Sequence, residues 1–177
     1  MSKTIKFKDF PEFKPNLTPK EVLSLGSFGG TYFRDIYSSV TDETYKETWK
    51  ELPKDWLDDL DIDKMVCSQI YDKSVNKYKV KCGTDLDMWE SNGWIEKVDP
   101  YGWFQWYCRF YQGRRCYDDE RQIKRWLKYA GEKGRFKNTL INKIKRLETT
   151  FDDYTVSPAI RQGLLHWGYE ITAEDLE

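Results

Sequence analysis

DPYGWFQWYCRFYQGRRCYDDERQIKRWLKYA, residues 99–130, places Trp103, Phe104, Trp106, Tyr107, Phe110 and Tyr111 within nine positions, then two adjacent arginines, then a basic segment with a further tryptophan. So many large rings cannot all face water. Trp103, Trp106, Tyr107 and Phe110 recur at i, i+3, i+4 and i+7, the spacing of one apolar helix face, with Gln105, Arg109 and Gln112 directed elsewhere. Gly113 follows where a helix stops, because a residue without Cβ takes the left-handed conformation there cheaply. The second half predicts another helix. Asp118 stands as its cap, Asp119 and Glu120 complement the positive end of the dipole, and Lys124, Arg125 and Lys128 lie toward the other end. Ile123, Trp126, Leu127 and Ala130 form its buried stripe.

The flanking sequence extends the same fold class. A helix is predicted over 135–147, burying Phe136, Leu140, Ile144 and Leu147. Another begins at Ser157 and Pro158, with Ile160, Leu164, Leu165 and Trp167 inward. Upstream, LTPKEVLSLG (17–26) combines Thr18 as cap, Pro19 at the first helical position, Glu21 three residues after the cap and Gly26 as a stop. Residues 42–60 predict two short helices around Pro53. Residues 66–82 predict a β-hairpin around the polar turn DKSVNK. Thr84 is expected to cap a helix ending at Gly93, after which Trp94 and Ile95 return to the core. Residues 1–16 alternate lysine with phenylalanine and hold Pro11 and Pro15, which reads as an extended arm laying Phe7, Phe10 and Phe13 across the domain. The expectation is a mainly α-helical protein: one globular domain over 17–177 with an aromatic-rich core, a small hairpin and an N-terminal arm. Only 39% of the 177 residues are hydrophobic, but 8 Trp, 12 Tyr and 9 Phe supply the core, since each buried ring removes roughly 150–250 Å² from water.

Several function classes lose their basis at once. No apolar run reaches the roughly 18 residues of a membrane span, and MSKTIKFKDF lacks the apolar region of a secretory signal, so an intracellular protein with no membrane partner is expected. Cys67, Cys82, Cys108 and Cys116 form no CxxC pair and His166 is the lone histidine, which disfavours a zinc site and leaves no metal or cofactor to assign. Reduced thiols are expected, a Cys108–Cys116 disulfide being the alternative in an oxidising compartment. The glycines of GSFGG (26–30) lack the lysine and Ser/Thr that complete a phosphate loop, so a tight turn setting Tyr32 and Phe33 into the core is favoured. Asp59, Asp61 and Asp63 resemble the start of a calcium loop, but Lys64 and Ile70 occupy the positions that need Gly and Glu. His166, flanked by Leu164, Leu165 and Trp167, reads as a satisfied, partly buried side chain rather than a general base.

Charge carries the functional argument. Between Tyr101 and Thr149 thirteen Lys or Arg face five Asp or Glu, whereas residues 1–100 carry fifteen against nineteen. A basic segment inside a near-neutral chain suits an acidic partner, and Arg grips phosphate with two parallel hydrogen bonds. Arg109, Arg114, Arg115, Arg121, Lys124, Arg125 and Lys128 are therefore the candidate nucleic-acid-binding residues, with a helix–turn–helix arrangement conceivable among the last three helices. The leading expectation is nucleic-acid binding, DNA ahead of RNA, by a basic helical face. A structural or assembly protein with a protein partner is the alternative. A small metal-dependent nuclease is third, with Arg34 and Asp35 as a polar site around which carboxylates could converge.

FGGTYFRDIYSSVT (28–41), SVNKYKVKCGT (74–84), DPYGWFQWYCRFYQGRR (99–115), DDERQIKRW (118–126) and FDDYTVSPAIRQGLLHWGYE (151–170) resemble an uncharacterised family of short proteins from large DNA viruses of microbial eukaryotes and from scattered fungi and algae. The resemblance covers nearly everything after Leu17. It implies kinship and a viral setting, which favours nucleic acid by association, and it assigns no activity or catalytic residue.

Overall fold

The computed structural model describes residues 5–177. Its centre is the helix α4, Trp103–Tyr111. It is preceded in the chain by α1 (Pro19–Leu25), the strands β1 (Ile36–Ser38) and β2 (Glu43–Tyr45), and the short helices α2 (Ile62–Met65) and α3 (Leu86–Ser91). It is followed by α5 (Asp119–Ala130), α6 (Arg135–Arg146) and α7 (Pro158–His166). The protein is mainly helical, with one small hairpin and an aromatic core.

The α4 helix is enclosed on nearly all sides, as a core helix must be when its sequence is apolar all round. Trp103, Trp106, Tyr107 and Phe110 are buried, as their spacing predicts, and so are Phe104, Gln105 and Cys108. Gln105 corrects the expected polar face. Its side-chain oxygen accepts from the Tyr101 N–H at 3.0 Å and its amide reaches Glu51 at 3.3 Å. The helix starts without a polar N-cap side chain. Gly102, at φ +103, occupies the cap position, and the Tyr32 hydroxyl, from a segment far away in sequence, accepts from the Gln105 N–H and donates to the Tyr101 carbonyl. At that φ a residue with a Cβ is strained, and the Cβ would also stand 2.9 Å from the tip of the Ile95 side chain.

Deeply buried rings find partners for their polar atoms, as burial of Tyr and Trp favours. Tyr107 donates to the Leu17 carbonyl, Trp103 to Gln122, Trp106 to the Asp119 carboxylate and Trp126 to the Trp167 carbonyl. Phe13 is fully buried and stands 5.1–6.3 Å from the rings of Trp103, Trp106, Tyr107, Phe110 and Trp126. It is thus inside the core rather than across it. The first four residues of the predicted arm lie outside the described residues.

The hairpin lies elsewhere than expected. β1 and β2 pair antiparallel, with Ile36 opposite Tyr45 and Ser38 opposite Glu43, whereas 66–82 contains turns and one 3₁₀ turn, Lys73–Val75. That segment gives its backbone donors to the glycine loop instead: Ser68, Asp72 and Lys77 donate to the carbonyls of Gly30, Gly29 and Gly26. The two helices expected over 42–60 are replaced by β2 and the 3₁₀ turns Thr48–Glu51 and Lys54–Trp56. Asp85, not Thr84, caps α3. Ile95 returns to the core, but Trp94 stays 40% exposed.

The last three helices follow the predicted spans closely. The α6 helix packs against both α5 and α7. Its buried positions are Leu140, Ile141 and Ile144, while Leu147, expected inside, is exposed. Neither Asp118 nor Ser157 makes a side-chain cap bond. The entry to α7 is tied instead by the buried Arg161, which donates to the carbonyls of Val156, Phe151 and Asp153.

Candidate nucleic-acid interface

Five of the seven predicted binding residues are arginines, and the structure gives every one an internal partner. Asp99 is wholly buried. Arg109 reaches it at 2.9 Å and Arg114 grips it with two bonds of 2.7 Å. Arg109 also holds Glu51 through two bonds of 2.8 and 2.9 Å and the Val98 carbonyl at 2.7 Å. The result is a neutral chain of charges, Glu51, Arg109, Asp99 and Arg114, along the edge of α4. Arg115 pairs with Asp9 at 2.7 Å and lies 3.7 Å from the centre of the Phe110 ring. Arg121 holds Asp118 at 2.6 and 3.0 Å and the Trp94 carbonyl at 3.1 Å. Arg125 donates to the side-chain oxygen of Gln122 and to the Trp94 carbonyl, and lies 5.9 and 5.4 Å from the centres of the Trp94 and Trp167 rings. Burial pushes its pKa down to about 10, so it remains charged at neutral pH. The expectation that these guanidiniums form a free phosphate-gripping face is therefore corrected for Arg109, Arg114, Arg115 and Arg121, each of which already faces an acid. Glu51, Asp9 and Asp99 were not anticipated as partners.

The cations that remain without an acid lie further along. Lys124 and Lys128 are exposed on α5, one turn apart, and among the described residues neither takes part in an ion pair. In α6 no residue is acidic, and Arg135, Thr139, Asn142 and Arg146 recur at helical spacing on its exposed side with Lys145 beside them. Lys137 is drawn to Asp175, 3.5 Å away, and to the Tyr169 ring. The tight turn between the two helices adds the exposed Lys133. The sequence already leaves Lys137, Lys143, Lys145 and Arg146 to water or a partner within the basic segment 109–146; of these Lys145 and Arg146 are exposed, and Lys137 is taken by Asp175.

The other predicted features are structural. Arg34 and Asp35 do not pair with each other. Arg34 donates to the Thr31 carbonyl and Asp35 accepts from the Glu47 N–H. A recess of about 370 Å³ at the edge of α4 is lined by Thr48, Glu51, Lys97, Gln105 and Arg109 among others, and neither Arg34 nor Asp35 lines it. Among the described residues no three His, Cys, Asp or Glu side chains come close enough together to hold a metal ion. Four consecutive amides of the glycine loop are already taken: the N–H of Phe28 goes to His166, that of Gly29 to Asn76, that of Gly30 to Ser27 and that of Thr31 to Phe28. At Gly29 a Cβ would lie 2.5 Å from the Tyr71 ring. All four cysteines are free thiols, and burial raises the pKa of Cys108. No helix of the described residues is long and apolar enough to cross a membrane.

Compared with protein-family models, curated proteins and solved structures, the chain matches none.

Proposed function

We propose that this protein binds nucleic acid inside a cell, DNA ahead of RNA, through the exposed cations of α6 and the adjoining face of α5. One observation carries the reading: α6 has no acid along its length, and among the described residues its exposed Arg135, Lys145 and Arg146 have no acidic partner, while Arg109, Arg114, Arg115 and Arg121 each face an acid. A stable surface ordinarily intersperses both signs. An unopposed row of cations gains most beside a row of phosphates, whose condensed counterions it releases. Lys124 and Lys128 add exposed cations on α5, which packs against α6. The choice of DNA over RNA follows from the resemblance to proteins of DNA viruses.

Fluorescence anisotropy with labelled duplex DNA over a range of salt tests the proposal. Affinity is expected to fall steeply with salt, and Lys145→Ala with Arg146→Ala is expected to flatten the log–log slope by about 2, since each duplex phosphate contributes about 0.9. Arg114→Ala serves as the contrast, because it lowers stability by exposing the need of Asp99 for a partner and leaves the affinity of the folded protein unchanged. Absence of binding at low salt, or equal loss from Arg114→Ala in folded protein, overturns the reading.

A further inference from the structure

We propose that the exposed indole of Trp94, with Tyr117 beside the start of α5, is a stacking platform for unpaired bases, so that the favoured ligand of this basic face is single-stranded nucleic acid. The inference rests on the nucleic-acid reading above and narrows it. A chain that buries Trp106 and Trp126 almost completely leaves Trp94 40% and Tyr117 73% exposed. Tyr37, Tyr111 and Tyr154 are exposed as well, but of the tryptophans only Trp94 is.

Trp94 is held by its backbone rather than by its ring. Its N–H donates to the Trp89 carbonyl at the end of α3, and its own carbonyl accepts from both Arg121 and Arg125. The residue is thereby anchored against α5, and the Arg125 guanidinium lies 5.9 Å from the centre of its ring. Burial, small as it is, and the nearby Glu96 and Asp118 carboxylates raise the pKa of Tyr117, which keeps it a neutral ring. Of the acids at this end, Asp118 is neutralised by Arg121 and Glu120 lies in the first turn of α5. Beyond them the exposed charges are the cations Lys124, Lys128, Lys133 and Arg135, with Glu132 the one acid among them. A strand whose base stacked on Trp94 would lead its phosphates along those cations. In a duplex the bases already stack on one another and leave nothing for the indole, so the platform discriminates by strandedness, and every base has a face that suits it.

The test measures anisotropy of a labelled oligothymidylate and a labelled duplex of equal length, with polyglutamate as competitor at equal charge. Oligothymidylate is expected to bind tighter than duplex and to quench intrinsic tryptophan fluorescence. Trp94→Ala is expected to weaken the single strand on the order of tenfold and to leave duplex binding unchanged, while Trp94→Phe retains most of the affinity; thermal melts followed by circular dichroism confirm that each variant is folded. If Trp94→Ala leaves oligothymidylate binding intact while Lys145→Ala with Arg146→Ala weakens it, the platform is wrong and the nucleic-acid reading stands. If neither oligonucleotide binds at low salt, both fall. Displacement by polyglutamate would identify an acidic polypeptide as the ligand and overturn the proposal.

Discussion

His166 Nε2 accepts from the Phe28 N–H at 2.9 Å and faces the Gln162 amide at 3.0 Å, and the ring stacks on Phe28 at 4.1 Å. Those contacts require the lone pair on Nε2, hence a neutral imidazole with its proton on Nδ1. Burial pushes its pKa down to about 3. In the unfolded chain the value returns to about 6.5. At pH 7 both states are neutral and nothing is lost. As pH falls below about 6.5 the unfolded state takes up a proton that the folded state refuses, and stability declines by about 1.4 kcal/mol per pH unit until the folded pKa is reached. His166→Gln keeps an acceptor for Phe28 and cannot titrate. Urea denaturation at pH 7 and pH 5 should therefore show the wild type losing about 2 kcal/mol more than the variant over that interval. Equal losses would mean that the folded imidazole is already protonated, contrary to its hydrogen bonds.

At the scale of elements, α7 lies so close to α5 that a Cβ on Gly163 would stand 2.1 Å from the Tyr129 hydroxyl. Alanine is a better helix former than glycine by about 1 kcal/mol, yet overpacking of a filled core costs roughly 1–3 kcal/mol. Gly163→Ala is thus expected to lower stability, and adding Tyr129→Phe to recover much of it, because the next atoms are 3.3 Å away; denaturation midpoints of the two variants decide this. Elements of this kind were legible where local chemistry defines them. Thr18 and Glu21 form the reciprocal cap of α1, and the spans of α5 and α6 follow their apolar spacing. Where a distant group defines the element, the sequence misleads. Tyr45, Trp49 and Leu52 mimic a helix face, but Glu47 turns at φ +54 and Thr48 is held by the Tyr101 hydroxyl. The same holds for the candidate interface. Arg121 meets Asp118 three residues away, a readable pairing, whereas Arg115 meets Asp9 and Arg109 meets Glu51 across 106 and 58 residues. Local charge counts cannot register that kind of neutralisation, so they mark the whole of 109–146 as a basic surface, whereas among the described residues the exposed cations without an acid stand on α6 and at Lys124 and Lys128 of α5.

For the whole molecule, both ends of the described chain close over the core beside α4. Asn16 exchanges hydrogen bonds with the backbone of Glu170, and the amides of Asn16 and Leu17 both donate to the Gly168 carbonyl. Phe13 is carried by this closure into the middle of the ring cluster, where it has no exposure. Lys77, Tyr78 and Glu170 bind the same end to the segment after the glycine loop. The early residues are therefore part of the cooperative unit, and the charge asymmetry of the sequence is partly cancelled in space, since Asp9 from this region answers Arg115. Truncating a fully buried phenylalanine removes its transfer free energy and leaves a cavity, a loss of about 3–5 kcal/mol against a typical total of roughly 5–15 kcal/mol. Phe13→Ala should accordingly lower the melting temperature by on the order of 10 °C for a chain of this length, while Asp9→Ala, which removes only an exposed partner, should shift it little. Calorimetry of the two variants separates the cases: a shift for Phe13→Ala no larger than that for Asp9→Ala would mean that these residues lie on the surface of a core that is complete without them.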